Sequence, residues 1–340
     1  MRSTLRLPAP DHYASGWYRF AYRYDFAPGD VRPLHLFGRD LVAFCGEDGQ
    51  VKVLDAHCPH LGAHLGHGGI VVGNCVQCPF HGWQWDGLGK NQAIPNEPKP
   101  SPATIRSWRT VERDGICYLW FDQDDRDPDW EPGPLLPEGS ADEYFLLDES
   151  VVGTWEGVQV YPQSIVENVA DASHFKFIHG SGEIPDIHQY SVEGALFRSK
   201  FVYEWGAGYE STWLTPNGPI PSEVFTESWG LGIVITRYFG IPEMIQVTGA
   251  TPIDGRTSVV SSALFVRRAT PETIEIDPLR RRLVKHLLEQ PEHDLTVWEN
   301  MAILERPLFR RSEARIYTAL REWAGGFYPS RSAAPASLTS

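Results

Sequence analysis

The sequence predicts an α+β protein in two parts, an all-β N-terminal domain and an α+β C-terminal domain. Three observations carry that prediction. Short strand-like segments with turns between them run up to about Asp122. A Pro- and Asp-rich interruption spans Gln123 to Tyr144. In the longer remainder, strand-like segments precede helical ones. In the first part the segments are Trp17–Tyr24, Val31–Phe37, Asp40–Cys45, Val51–Ala56, Ile105–Glu112 and Ile116–Phe121, rich in β-branched and aromatic residues. Glu47-Asp48-Gly49 and Arg113-Asp114-Gly115 read as hairpin turns. The interruption, Asp124-Asp125-Arg126-Asp127-Pro128-Asp129-Trp130-Glu131-Pro132-Gly133-Pro134, resists regular structure and is expected at the surface. Beyond it, Gln163–His179 carries helical spacing. Phe197–Trp205, Ser222–Trp229, Leu231–Phe239, Gln246–Thr251 and Thr257–Val266 read as strands. Pro278–Glu289, Pro291–Ala302 and Ser312–Trp323 read as helices, the first two with Pro in the first turn, where its missing N–H costs little. The expected division is a first domain over 1–125, a linker over 126–145, a second domain over 146–330 and a flexible tail over 331–340.

Composition narrows the function classes. The formal net charge of −14 argues against nucleic acid or an anionic membrane as partner, since both need basic patches. No apolar run approaches the ~18 residues of a membrane span. Met1 to Gly16 lacks the apolar stretch of a signal peptide. Five clustered cysteines, an odd number, do not make a secreted disulfide framework, so the expected compartment is the cytoplasm. Twelve tryptophans and sixteen phenylalanines suggest aromatic packing and a wide apolar pocket.

Cys58-Pro59-His60 and Cys78-Pro79-Phe80-His81 stand seventeen residues apart, and each supplies one thiolate and one imidazole. In a Rieske [2Fe–2S] centre two Cys hold one iron and two His the other, which needs two facing loops of this kind. Gly62, Gly66, Gly68 and Gly69 follow the first arm and Gly82 the second, letting the backbone approach the cluster. A Cys2His2 zinc site using Cys75, Cys78, His60 and His81 is the alternative, and core cysteines with incidental histidines another. His57, His64 and His67 read as loop or surface histidines. Respiratory Rieske proteins carry a further Cys in each arm and hydroxyl donors. Ala63 and Phe80 stand here instead, which predicts a lower potential.

The second signal is Glu167-Asn168-Val169-Ala170-Asp171-Ala172-Ser173-His174-Phe175-Lys176-Phe177-Ile178-His179. Two His and one carboxylate on one face of the metal make the facial triad of non-haem Fe(II) oxygenases, with positions left open. His174 and His179 supply the imidazoles. On a continuous helix, Asn168, Asp171 and His174 would share a face. An amphipathic helix with core-facing histidines is the plainer reading of the segment. For the carboxylate the choice is Asp294. With Val297, Trp298 and Met301 it forms an i, i+3, i+4, i+7 stripe, which sets a carboxylate among apolar residues. A salt bridge to Arg or Lys is the alternative for Asp294, and Glu292 and Glu299 fall off the stripe.

With these residues placed, the chain resembles the Rieske non-haem iron oxygenases, and among them the oxygenase components of the 3-ketosteroid 9α-hydroxylase and cholesterol 7-desaturase type. The resemblance runs through Gly16-Trp17-Tyr18, both cluster arms with His81-Gly82-Trp83, Glu167-Asn168…His174…His179, Asp294-Leu295-Thr296-Val297-Trp298, and Leu320-Arg321-Glu322-Trp323…Phe327-Tyr328. It is least marked from Ser181 to Val266. It implies an N-terminal Rieske [2Fe–2S] domain followed by a helix-grip (START-like) α+β catalytic domain. It implies a [2Fe–2S] cluster on Cys58, His60, Cys78 and His81 and a mononuclear Fe(II) on His174, His179 and Asp294. It further implies a head-to-tail homotrimer in which Asp171 links His81 of one subunit to His174 of the next, with Asn168 beside the iron. Electrons would come indirectly from NAD(P)H, through a separate ferredoxin reductase or flavin/iron–sulfur reductase. The expected reaction is O2-dependent monooxygenation, or desaturation, of a small lipophilic substrate of steroid or sterol type. Dihydroxylation or O/N-demethylation of an aromatic substrate is the second expectation, and a Rieske electron-transfer protein without oxygenase activity the third.

Overall fold

The computed structural model describes residues 13–185, 187–206, 213–240, 243–302, 304 and 306–329. The expectations for the extreme N-terminus and for the tail lie outside these residues.

The first part contains strands β1 (Gly16–Tyr22), β2 (Val31–Leu36), β3 (Arg39–Cys45), β4 (Val51–Asp55), β5 (Ile70–Val72), β6 (Cys75–Gln77), β7 (Gln84–Asp86), β8 (Asn91–Ala93), β9 (Ser107–Trp108), β10 (Thr110–Arg113) and β11 (Ile116–Phe121). They form three small antiparallel sheets in the orders β1-β11-β10, β2-β3-β4-β9 and β5-β6-β7-β8. Strand β11 reads Ile-Cys-Tyr-Leu-Trp-Phe without alternation because it lies between two partners and is buried on both faces. The expected strand Ile105–Glu112 divides at Arg109. Its first half joins β4 and its second half joins β11, so this segment passes from one sheet to another. Strands β5 to β8, three residues each, were too short to show a period in the sequence.

The second part contains β12 (Val152–Val158), α1 (Pro162–Glu167), α2 (His174–Phe177), β13 (Ile187–Glu193), β14 (Leu196–Trp205), β15 (Ile220–Trp229), β16 (Ile233–Tyr238), β17 (Met244–Pro252), β18 (Ser258–Val266), α3 (Pro278–Trp298) and α4 (Ala314–Gly325). Its strands form one seven-stranded antiparallel sheet, β12-β18-β17-β16-β15-β14-β13. Helix α3 packs on β18 and β12, and α4 packs on α1. A long helix against a curved antiparallel sheet is the helix-grip arrangement expected from the resemblance. Strand β14 alternates strictly, with Phe197, Ser199, Phe201, Tyr203 and Trp205 all turned inward.

Two helix expectations need correction. The segment 163–179 is not one helix. It runs as α1, a 3₁₀ turn over Asn168–Ala170, then extended backbone at Asp171 before α2. The Asp171 carboxylate causes the break, because Oδ1 accepts the N–H groups of Ser173 (2.9 Å) and His174 (3.2 Å) and caps the next turn instead of continuing the first. Conversely, Pro278–Glu289 and Pro291–Ala302 are one helix with Pro291 inside it. An interior Pro costs about 3 kcal/mol and strands the carbonyl four residues back. That carbonyl, Leu287 O, accepts from Gln246 Nε2 at 3.4 Å, so the sheet restores part of what the ring removes.

The Pro- and Asp-rich stretch lacks regular structure apart from one 3₁₀ turn, but it is not simply a surface strap. Leu135, Leu136 and Tyr144 are buried in a core that mixes Trp17, Ile116 and Tyr118 of the first part with Ile233, Ile235 and Phe265 of the second. The indole N–H of Trp17 donates to Trp130 O (2.8 Å), and the Trp130 ring contacts both Trp120 and Trp229.

Candidate metal centres and the cavity between sheet and helix

The two cluster arms are built on one pattern although their ligand spacings differ. In each, the Cys N–H donates to the carbonyl five residues on, Cys58 to Ala63 (2.9 Å) and Cys78 to Trp83 (2.8 Å). In each, a glycine four residues on donates back, Gly62 to Cys58 O (2.9 Å) and Gly82 to Cys78 O (3.1 Å). Closing the loop requires positive φ at that position, +78° at Gly62 and +72° at Gly82. The thiols of Cys58 and Cys78 are buried and adjacent, and burial pushes Cys58 up from the ordinary thiol range. His60 and His81 face each other with ring centroids 4.7 Å apart, and both are exposed. Trp83 stacks on His60.

The donors therefore pair as Cys with Cys and His with His. Among the described residues, the one set of three or more His, Cys, Asp or Glu ligand atoms lying within 4.8 Å of one another is elsewhere. The arms do not converge on one point, which removes the support for a single zinc ion on Cys75, Cys78, His60 and His81 and fits a two-iron cluster with sulfur at one end and nitrogen at the other. A second observation agrees. The indole N–H of Trp85 is fully buried and faces the Cys58 sulfur, an atom that would ligate an iron–sulfur centre.

The converging set is His174, His179 and Asp294. His174 opens α2, His179 follows it, and Asp294 comes from α3. His179 Nε2 stands 3.4 Å from Asp294 Oδ2, and the rings of His174 and His179 are 5.1 Å apart. Nδ1–H of His174 donates to Asp171 O at 2.5 Å, which leaves Nε2 with the lone pair a metal needs. Burial pushes the His174 imidazole down from its usual range, outweighing the attraction of Asp294, so it is neutral near pH 7. His179 Nδ1 is buried with no hydrogen-bond partner among the described residues. No Arg or Lys pairs with Asp294 among the described residues, which leaves the salt-bridge alternative without support. A buried carboxylate with no Arg or Lys beside it, facing two imidazoles, fits a divalent cation.

The predicted apolar stripe around Asp294 is corrected in part. Trp298 is buried, but Val297 and Met301 are exposed at 43% and 44%. The buried stripe is Leu283, Val284, Leu287, Pro291, Asp294 and Trp298. Glu292 and Glu299 point outward. Asp171 meets the His174 ring through its carbonyl, not its carboxylate, and the carboxylate also lies beside Tyr317. Asn168 lines the cavity with the two histidines. The arms and the triad share no hydrogen bond or ring contact among the described residues.

The triad lines a cavity of about 900 Å³, a figure that includes its open mouth. One wall is the inner face of β14 to β17, the other is α3 from His286 to Trp298. Tyr238 O–H donates to Gln246 Oε1 (2.8 Å), and Gln246 Nε2 donates to Ser262 Oγ (2.9 Å). Sequence reasoning did not single out Trp205, Tyr238 or Gln246. The available signal was inward register on an alternating strand, shown by Trp205 and by Gln246 in Met244-Ile245-Gln246-Val247, a polar residue amid apolar ones. Glu167, noted only as part of a motif, forms a buried pair with Arg321 (2.8 Å) that ties α1 to α4.

Comparison with known proteins adds the following. Residues 16–109 match the Rieske [2Fe-2S] domain, and residues 119–328 match the 3-ketosteroid 9alpha-hydroxylase C-terminal domain. The chain is 30% identical to the 3-ketosteroid-9-alpha-monooxygenase oxygenase component of Rhodococcus rhodochrous, covering 96% of this chain and 84% of the relative. It is 29% identical to the cholesterol 7-desaturase nvd of Hemicentrotus pulcherrimus, covering 95% and 71%. In fold it is similar to apo dicamba monooxygenase (TM-score 0.62, 19% identity, 91% of this chain and 96% of that one). It is similar also to NdmB of Pseudomonas putida CBB5 (TM-score 0.65, 16% identity, 95% and 93%).

Proposed function

The chain belongs to the Rieske non-haem iron oxygenases of the 3-ketosteroid 9α-hydroxylase family, and on that footing we propose that it oxidises a neutral, lipophilic, steroid- or sterol-like substrate at the His174, His179 and Asp294 end of its cavity. The observation that carries this reading is the convergence of two imidazoles and one buried carboxylate on the cavity between sheet and helix. Bound there and on the arms, ferrous iron supplies dioxygen activation and a Rieske cluster supplies single electrons. For hydroxylation, substrate C–H, O2, two electrons and two protons give C–OH and water. Desaturation of the same substrate removes two hydrogens from adjacent carbons instead.

The roles of the chain's own residues follow. Cys58 and Cys78 hold one iron of the cluster and His60 and His81 the other. His174 holds the mononuclear iron through Nε2 while its Nδ1–H stays on Asp171 O. Asn168 lies beside the metal at the cavity wall. The two parts act as domains over about 1–125 and 146–330, with 126–145 between them.

The partner is a reductase that draws on NAD(P)H. The assembly we propose is a homotrimer in the cytoplasm, in which the arms of one subunit meet the iron face of the next and Asp171 bridges His81 to His174. Exposed apolar side chains support it: Leu61 and Phe80 beside the exposed cluster histidines, and Phe177 at the end of α2. No helix among the described residues is long and apolar enough to cross a membrane.

The test supplies the purified protein with a surrogate flavin/iron–sulfur reductase, NADH and O2, and presents a 3-ketosteroid and a sterol. Expected is substrate-dependent O2 consumption with a product one oxygen heavier, or two hydrogens lighter. Reduction of the cluster without any substrate-dependent turnover would contradict it.

A further inference from the structure

Among the described residues, two buried, unpartnered polar atoms belong to side chains lining the cavity: His179 Nδ1, in the triad, and Trp205 Nε1. Trp205 is the last residue of β14 and is 3% exposed. We propose that its indole N–H is the donor that binds a neutral oxygen of the substrate at the end remote from the carbon oxidised. The proposal rests on the functional reading above and specifies the substrate further.

Helix α3 places Trp205 relative to the triad. Its ring faces that of His286, which precedes Asp294 by eight residues, a rise of about 12 Å along the helix axis. On the sheet side the ring of Tyr203 stands between, touching Phe175 next to His174 on one side and Trp205 on the other.

The donors on the sheet beside Trp205, on Tyr238 and Gln246, are engaged. The Tyr238 hydroxyl donates to Gln246, and the Gln246 amide is held by Ser262 Oγ and Leu287 O. An indole is a donor only, so its partner must be an acceptor. Among the described residues the cavity is lined by neither Lys nor Arg, which disfavours a carboxylate and leaves a keto or hydroxyl oxygen.

The test measures equilibrium binding to protein loaded with both iron centres, using a 3-ketosteroid and its 3-deoxy analogue, in wild type and W205F. Phenylalanine keeps the ring and removes the N–H. We expect W205F to weaken the ketosteroid about tenfold and the deoxy analogue less than about twofold. The infrared carbonyl stretch of the bound wild-type complex should lie at lower wavenumber than in W205F, a readout that a change in packing alone does not give. Equal weakening of both ligands, or an unshifted carbonyl in wild type, overturns the role of Trp205 and leaves the steroid reading standing. Failure of wild type to bind either steroid overturns both.

Discussion

The cluster arms and the iron triad solve the same problem, holding metal ligands still, in different ways. Each arm is a six-residue loop closed on itself by a pair of backbone hydrogen bonds and one left-handed glycine, and it stands at an exposed tip. The triad draws two ligands from a helix broken by its own aspartate and a third from a helix more than a hundred residues later, and it lies in the interior. The difference teaches where sensitivity should lie. The arms depend on local backbone conformation. The triad depends on tertiary packing of α3 against the sheet, and on charge.

Changes to the triad should therefore have the largest effect on turnover and none on the arms. Asp294→Ala is expected to lower turnover on the order of a thousandfold, beyond the 10–100-fold typical of residues that only support a ligand, with mononuclear iron lost and the visible spectrum of the cluster unchanged. Metal analysis and absorption check both. If iron stays bound, another carboxylate is the ligand and the contrast collapses.

Asp171 stands between the two regions in the proposed assembly. Asparagine retains the oxygen that caps Ser173 and His174 and removes the charge. Asp171→Asn should keep both metals and lose about 10–100-fold in turnover, with slower transfer between cluster and iron in stopped-flow measurements. Unchanged transfer would leave Asp171 a structural cap only.

Within the arms, paired glycines sharpen the comparison. A left-handed alanine costs about 1–2 kcal/mol at either position. A Cβ at Gly62 meets nothing within 4 Å, whereas one at Gly82 would lie 2.9 Å from Pro95 Cγ. Denaturant unfolding should show a loss of about 1 kcal/mol for Gly62→Ala and about 2–3 kcal/mol for Gly82→Ala, the latter with reduced cluster occupancy. Equal losses would mean that the second arm is not held against Pro95.

The smallest effect concerns potential. Trp85→Phe removes a buried N–H beside Cys58. A donor to sulfur stabilises the reduced cluster, so the midpoint should fall by about 40 mV, the one-electron equivalent of about 1 kcal/mol. A potential unmoved in a redox titration would show that the indole does not engage the cluster.

The legibility of the sequence follows the same division. The arms could be read because their ligands, prolines and glycines are contiguous. The β-rich first part and the strands-then-helices order of the second could be read from period and turns. The break at Asp171 could not, since helical spacing carries no record of a carboxylate that prefers the N–H groups two and three residues on. The single helix through Pro291 could not either, because the group that satisfies Leu287 O is a glutamine from a distant strand. Trp205 and Tyr238 lie on segments read as strands, but their place on the cavity wall is a property of sheet register against α3.

Iron and acid-labile sulfide per chain, measured with absorption on anaerobically purified protein, test the central claim that one chain holds two distinct centres. About three irons and two sulfides are predicted, one Rieske cluster plus one mononuclear site. About two irons and two sulfides, persisting after reconstitution with Fe(II), would leave only the cluster and contradict the assignment of His174, His179 and Asp294.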